Sequence, residues 1–321
     1  MIVVTGGAGF IGSNLVHSLN ISGRDDIVVV DNLENGTKFF NIQAAKIADY
    51  LDQEQFLDWL VETGSQGIDA VFHLGASSDT TEWNGRYMME NNYQYSKSVL
   101  DICLAYKIPL IYASSAAVYG ENSNFAVNIG SERPLNIYGY SKALFDQYVA
   151  RCLTKAESQI VGLRYFNVYG PGEQHKGKMA SVVYHHYQQL RKKGSVKLFG
   201  GHNGYTDGEQ LRDFVSVSDA VAVNQWFLNN PKISGIYNVG TGQAKTFNQL
   251  ANALIRSTGR GEIEYIPFPA ELMGSYQSYT QADISDLRSV GYKREFKGIA
   301  EGVSEYVALL DLKNTIASEN R

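Results

Sequence analysis

The chain has 321 residues, long for one domain and comfortable for two. Its 44% hydrophobic and 19% charged residues are those of a folded protein, which excludes intrinsic disorder and low-complexity scaffolding. The 28 Lys and Arg against 33 Asp and Glu leave a net charge of −5 with no basic block, so nucleic acid is not expected as a partner.

The opening, MIVVTGGAGFIGSN, lacks the charged start and cleavage site of a signal peptide, and no run of about 18 apolar residues follows. A soluble, cytoplasmic protein with no membrane partner is expected. Short β-branched runs then alternate with longer amphipathic stretches. Strands are predicted at Ile2–Thr5, Ile27–Asp31, Ala70–Leu74, Pro109–Ser114 and Ile160–Phe166, and helices at Gly12–Leu19, Asp52–Glu62, Arg86–Tyr106 and Tyr140–Leu153. This is the pattern of βαβ units, and it predicts an α/β protein with a doubly wound parallel (Rossmann) sheet and its ligand along the carboxyl ends of the strands. Beyond Asn167 the texture changes to Gly- and Tyr-rich loops, a helix over Ala180–Lys193, and short strands near Arg212–Val215 and Gly235–Val239. A smaller, interleaved α/β substrate domain is expected there. The division predicted is a dinucleotide-binding domain over 1–166 with returning segments at about 212–238 and 278–295, and a substrate domain over about 167–211, 239–277 and 296–321. Gly200–Gln210 is polar and glycine-bearing enough to be a mobile lid. Cys103 and Cys152 lie far apart in apolar helical stretches and suit buried thiols better than a disulfide or a metal site; no metal is expected.

Between the first strand and helix, Gly6, Gly9 and Gly12 stand three apart. Small residues there let the chain turn sharply and approach a pyrophosphate, and the helix N-terminus offers unpaired N–H groups to the anion. The second strand ends in Asp31 and Asn32, where an acidic side chain meets the ribose hydroxyls of NAD, yet Lys38 is close enough in sequence to reach the 2′-phosphate of NADP. The two signals conflict.

Tyr138 and Lys142, in YGYSK, have an i, i+4 spacing that puts both on one helix face. A tyrosine with an ordinary pKa of about 10 needs nearby positive charge worth roughly three units to act as a base near neutrality. Upstream, SSAAVYG places Ser115 at a strand end, where it can donate to a reacting oxygen. TGGAGFIG, SSAAVYG and YxxxK, in this order, resemble the extended short-chain dehydrogenase/reductase family of nucleotide-sugar epimerases and dehydratases, over essentially the whole chain. HLGASSDTTEW, YMMENNYQYSK, LRYFNVYGPGEQHKGKMAS and YQSYTQAD resemble, within it, the branch that inverts C6 of an ADP-linked heptose for lipopolysaccharide cores.

That resemblance implies a catalytic set of Ser115, Tyr138, Lys142 and a second base, Lys176. It implies a nicotinamide cofactor, NADP by preference with NAD possible, held by Phe10 and Ile11 on the glycine turn, Leu74, Gly75, Ala76, Ser77 and Ser78 after the third predicted strand, and Asn92, Val168 and Lys176. An ADP-heptose is expected to meet Asn167, Lys178, His185, Phe199, Gly200, Gly201, His202, Arg212 and Tyr276, with the Arg212 guanidinium suited to diphosphate oxygens. A homo-oligomer, a pentamer, is also implied. The chain departs from the pattern at Gln53, where a cofactor-side Lys is expected, at Lys178, where a small polar residue is usual, and in a longer segment before Arg212. A 4,6-dehydratase of the family carries an Asp-Glu pair after the catalytic Ser/Thr, but Ala116 and Ala117 stand here, leaving no proton donor for elimination. A 4-epimerase of the same family is a further alternative. A non-catalytic dinucleotide sensor is disfavoured because Ser115, Tyr138 and Lys142 are all present.

Overall fold

A computed structural model describes residues 1–64, 66–120, 122–130, 132–269 and 276–319. The first half runs β1 (Ile2–Thr5), α1 (Phe10–Ile21), β2 (Ile27–Asp31), α2 (Phe39–Ile42), β3 (Asp49–Asp52), α3 (Gln53–Thr63), β4 (Ala70–His73), α4 (Gly85–Met88), α5 (Tyr95–Ala105), β5 (Leu110–Ser115), α6 (Ile137–Leu153) and β6 (Ile160–Tyr165). Then follow β7 (Asn167–Tyr169), α7 (Val182–Lys193), β8 (Ser195–Phe199), β9 (Leu211–Arg212), β10 (Phe214–Ser216), α8 (Val217–Leu228), β11 (Gly235–Val239), β12 (Lys245–Thr246), α9 (Phe247–Thr258), β13 (Glu262–Ile266), α10 (Ser285–Ser289) and α11 (Ile299–Glu319).

Seven strands form one sheet in the order β3-β2-β1-β4-β5-β6-β11, and every adjacent pair is parallel. The inner strands are mostly apolar because a parallel sheet is covered on both faces, with polar residues such as Asp31, His73 and Ser115 at their carboxyl ends and Arg164 buried in β6 against Asp146 and Glu132. Ile2 and Val4 pack with Leu15 and Val16 of α1 and Val223 and Phe227 of α8. Val3, one residue out of phase, packs instead with Phe56 of α3, Val99 of α5 and Phe145 of α6. The strand order reverses direction between β1 and β4, and the crevice this opens at their carboxyl ends is where such folds take ligands.

The predicted helix over Arg86–Tyr106 is interrupted by a π-helical stretch at Met89–Gln94, between α4 and α5. Its wider turn falls where Asn92, wholly buried, bonds the loop after β4. A third core joins Val183, Tyr187 and Leu190 of α7 to Leu250 and Leu254 of α9 and Val303 and Leu310 of α11. Around it lie β8 paired parallel with β13, and β9 paired antiparallel with β12. Cys103 is buried and Cys152 only half-buried; neither forms a disulfide.

Candidate active site

The turn after β1 is shaped by its glycines. Gly6 has φ +65°, and a Cβ on it would lie 2.7 Å from the backbone of Gly75 on the next strand's loop, while a Cβ on Gly12 would collide with the Gly6 carbonyl. No side chain caps α1, so the first-turn N–H groups of Phe10, Ile11 and Gly12 border the cleft without a protein partner of their own helix. An anion fits that terminus.

The cleft holds about 550 Å³, within the range of cofactor sites. Gly6, Gly9, Phe10, Ile11, Gly12, Asp31, Asn32, Lys38, Leu74 through Ser78, Ser115, Tyr138, Lys142, Val168, Lys176 and Lys178 all line it. Asp31 and Lys38, read from sequence as competing signals, are an ion pair at 2.8 Å. The other Asp31 oxygen accepts the Ala8 N–H at 3.0 Å, and Lys38 also reaches Asn32 Oδ1 at 3.2 Å. The carboxylate thus carries a lysine countercharge at the cleft wall.

Asn92 does not line the cleft. Its Oδ1 accepts from the Ser77 N–H at 2.8 Å and its Nδ2 donates to the Ser77 carbonyl at 2.9 Å, so it acts on the cofactor loop from behind. A directed chain supports the same loop: Gly75 N–H donates to Thr5 Oγ1, and Thr5 and Ser96 flank the His73 ring at 2.8 Å on either nitrogen. Ser96 donates to the Asn92 carbonyl, so it accepts from His73 Nε2–H, and Nδ1 accepts from Thr5. Burial, with the Lys142 charge adding, lowers the His73 pKa to about 3 and keeps the ring neutral.

Tyr138 and Lys142 both stand on α6, whose first turn is capped by Asn136 and begins earlier than the sequence suggested, at Ile137. Burial raises the Tyr138 pKa, opposed by its hydrogen bond with Ser115. Ser115 Oγ accepts from the Ala117 N–H at 3.1 Å, so its one proton is what it offers the Tyr138 oxygen. Lys142 donates to the Ala113 carbonyl at 2.9 Å; burial lowers its pKa to about 8 against the pull of Asp146. Lys176, also on the cleft lining, lies 5.6 Å from the centre of the Phe10 ring, and burial lowers its pKa while Glu173 raises it. Lys178 is exposed, bonded to Thr81 Oγ1 at 2.6 Å and paired with Asp79 at 3.4 Å.

The remaining substrate candidates do not line this cleft. Phe199, His202 and Tyr276 gather around Phe268, whose ring stacks on His202 at 3.9 Å. Arg212 lies over the Tyr276 ring at 4.9 Å and pairs with no carboxylate among the described residues, so its charge is left for an anion. Burial lowers its pKa. Asn167 bonds the Asp213 carbonyl at 3.0 Å, and His185 approaches the Lys178 carbonyl at 3.4 Å and the Tyr184 ring at 6.2 Å. Gly200 and Gly201, expected in a mobile lid, are tied down: Gly200 N–H donates to Ile266, Gly201 N–H to Asp207 Oδ1, and His202 and Tyr205 exchange backbone bonds. Sequence reading missed Asn35, Tyr95, His175 and Met179 on the cleft wall and Phe268 in the aromatic group. His175 adjoins Lys176 in the sequence; the others carry no local signal.

The parallel sheet with its crossing point, the uncapped glycine turn and the Ser-Tyr-Lys set on one wall define an enzyme of the nucleotide-sugar epimerase and dehydratase class. The chain belongs to the NAD dependent epimerase/dehydratase family, whose profile matches residues 2–240. It is 59% identical over 308 residues to the ADP-L-glycero-D-manno-heptose-6-epimerase of Alkalilimnicola ehrlichii, covering 96% of each chain. The crystal structure of the Helicobacter pylori ADP-L-glycero-D-manno-heptose-6-epimerase superposes with a TM-score of 0.82 at 33% identity, covering 97% of this chain and 96% of that one. The Thermus thermophilus UDP-glucose 4-epimerase, solved with NAD, gives a TM-score of 0.78 at 28% identity, with 96% and 97% covered.

Proposed function

We propose that this chain inverts C6 of the heptose in ADP-D-glycero-β-D-manno-heptose, giving ADP-L-glycero-β-D-manno-heptose for lipopolysaccharide core synthesis. The C6 carbon carries only hydrogen, hydroxyl and carbon, so no neighbouring group acidifies its proton, and inversion requires oxidation to a 6-keto sugar and reduction from the other face. A nicotinamide dinucleotide bound along the glycine turn supplies hydride acceptance and return.

The protein's own groups handle the proton and the oxygen. Ser115 donates to the reacting oxygen as charge develops on it. Tyr138, with Lys142 one turn away, exchanges the hydroxyl proton in one configuration, and Lys176, from the loop before α7, exchanges it in the other. What carries this reading is that Tyr138 and Lys176, from separate elements, line one cleft, together with the high identity to the Alkalilimnicola enzyme along the full chain. Arg212, Tyr276, Phe199, Gly200, Gly201, His202, Asn167, His185 and Lys178 take the ADP-sugar. NADP is the cofactor proposed, on the Lys38–Asp31 pair, with Gln53 as a counter-signal; the enzyme acts in the cytoplasm as a homo-oligomer, a pentamer.

NMR of ADP-D-glycero-β-D-manno-heptose incubated with the pure protein tests the reaction: the L-glycero epimer is expected to accumulate to equilibrium with no added oxidant. An unchanged spectrum refutes the function. Light scattering that returns the monomer mass refutes the oligomer.

A further inference from the structure

Eleven positions after Gly170, which leaves β7, Ser181 caps the start of α7; Lys176 stands midway between them. Three residues before Lys176 is Glu173, whose side chain has no exposure to solvent. A carboxylate in such a place is costly unless donors saturate it, and here they come from both ends of the loop, with the Tyr306 hydroxyl of α11 also set against it. Oε1 accepts from Ser181 Oγ at 2.8 Å and from the Gly170 N–H at 3.3 Å, and Oε2 accepts from the Ser181 N–H. No Lys or Arg among the described residues pairs with it. The Glu173 carbonyl in turn accepts the Lys176 N–H at 3.0 Å.

We propose that Glu173 is a positioning residue for the second acid/base group, its buried carboxylate tying Gly170 to Ser181 and thereby holding Lys176 at the cleft. The inference rests on the role given to Lys176 above. Lys176 stands in a 3-10 stretch over Gln174–Met179 whose own backbone bonds do not fix the break at Gly177. Gly177, next to Lys176, has φ +52° and ψ −124°, a conformation that glycine visits with no intrinsic bias toward it. The half before Lys176 is also fastened from the glycine-turn side, with Asn14 donating to the Pro171 carbonyl at 2.7 Å, Asn41 to that of Gly172 at 3.0 Å and to His175 at 3.2 Å, and Asn35 to the His175 carbonyl at 3.3 Å. Glu173 joins this anchored half to the start of α7, where His185 Nε2 also meets the Lys178 carbonyl at 3.4 Å. A glutamine of the same size turns a donor toward the donors it must satisfy, since Gly170 and Ser181 present two N–H groups and a hydroxyl to it.

Glu173→Gln, with cofactor content measured to show that the fold is intact, is expected to lose about a hundredfold in kcat while KM for ADP-D-glycero-β-D-manno-heptose stays within about threefold. Added to Lys176→Ala, the same change is expected to cost less than about twofold more, because nothing is left to position. Wild-type kcat in Glu173→Gln beside a crippled Lys176→Ala overturns the positioning role and leaves the function standing. A full hundredfold loss repeated in the Lys176→Ala background makes Glu173 general scaffolding and also overturns it. Wild-type turnover of Lys176→Ala overturns the role of Lys176 itself. Should Glu173→Gln not fold, Glu173→Asp, shorter by one methylene, is read against the same outcomes.

Discussion

His73 makes the cofactor loop sensitive to acid. It is neutral in the folded protein, with a pKa lowered to about 3 by burial, whereas in the unfolded chain it returns to about 6.5. Between those values the unfolded state binds the additional proton, so stability is lost as pH falls from about 6.5 toward 3 and is fully present above it. From about pH 7 to pH 4.5 the loss is about two units at ~1.36 kcal/mol each, or ~2.7 kcal/mol, from this residue. His186, buried with its pKa lowered to about 4, adds a similar loss over the same interval. His73→Gln removes one titration while keeping a donor and an acceptor for Ser96 and Thr5. Urea unfolding of both proteins at about pH 7 and pH 4.5 isolates the effect, because every other group titrates alike in the two. The wild type is expected to lose ~2.7 kcal/mol more than the variant, whatever the variant costs at pH 7. A difference below ~0.5 kcal/mol means that the ring is protonated in the folded state and that the directed chain from Gly75 to Asn92 is wrong.

Gly12→Ala places a methyl against the Gly6 carbonyl and is expected to give a folded protein that purifies without dinucleotide, read from the absorbance of a denatured sample. Tyr138→Phe and Lys176→Ala are each expected to slow epimerisation by about 10²-fold or more with the cofactor retained, measured by NMR of the two heptose epimers. Denaturing release and chromatography are expected to recover NADP from the wild type and a larger NAD share from Lys38→Ala; NAD alone from the wild type shows that Asp31 outweighs Lys38. ADP-sugar, but not the dinucleotide alone, is expected to add protection to Gly200–Arg212 in amide hydrogen exchange beyond what its own hydrogen bonds give; equal protection removes the lid from the mechanism.

The parallel sheet was legible because IVVT and IVVVD are buried on both faces and so have no polar residue to interrupt them. β3 escaped for the opposite reason: DYLD is an edge strand with no fully buried residue, and nothing in four such residues distinguishes it from a loop. α9 had a signal that went unread, since Thr246 and Gln249 form a capping box immediately before an amphipathic run. The glycine turn and the Ser-Tyr-Lys set are local patterns and could be placed. The pins on the Lys176 loop, Asn14 and Asn41, lie 157 and 131 residues from their partners, and no spacing rule reaches so far.

Both candidate lysines and the tyrosine are governed by the same opposition between lost water and a placed charge. Burial raises Tyr138 and lowers Lys142 and Lys176, so in the protein alone each is pushed toward its neutral form. For Tyr138 that is the wrong direction for a base, and the Ser115 hydrogen bond does not reverse it. An oxidised nicotinamide held beside the phenol would supply the positive charge that is missing, and would tie the acid/base chemistry to cofactor occupancy. For the lysines the direction is useful, because a lysine near neutrality can both take and return a proton, and Lys142 at about 8 is already close. Asp146 and Glu173 each oppose the shift from a buried carboxylate held by its own donors or partners, Asp146 by Tyr112, Ser114 and Arg164, Glu173 by Gly170 and Ser181. Each of the two lysines thus stands beside a buried acid that has a structural duty of its own, so neither acid can be lost without disturbing both the fold and the charge it stands beside.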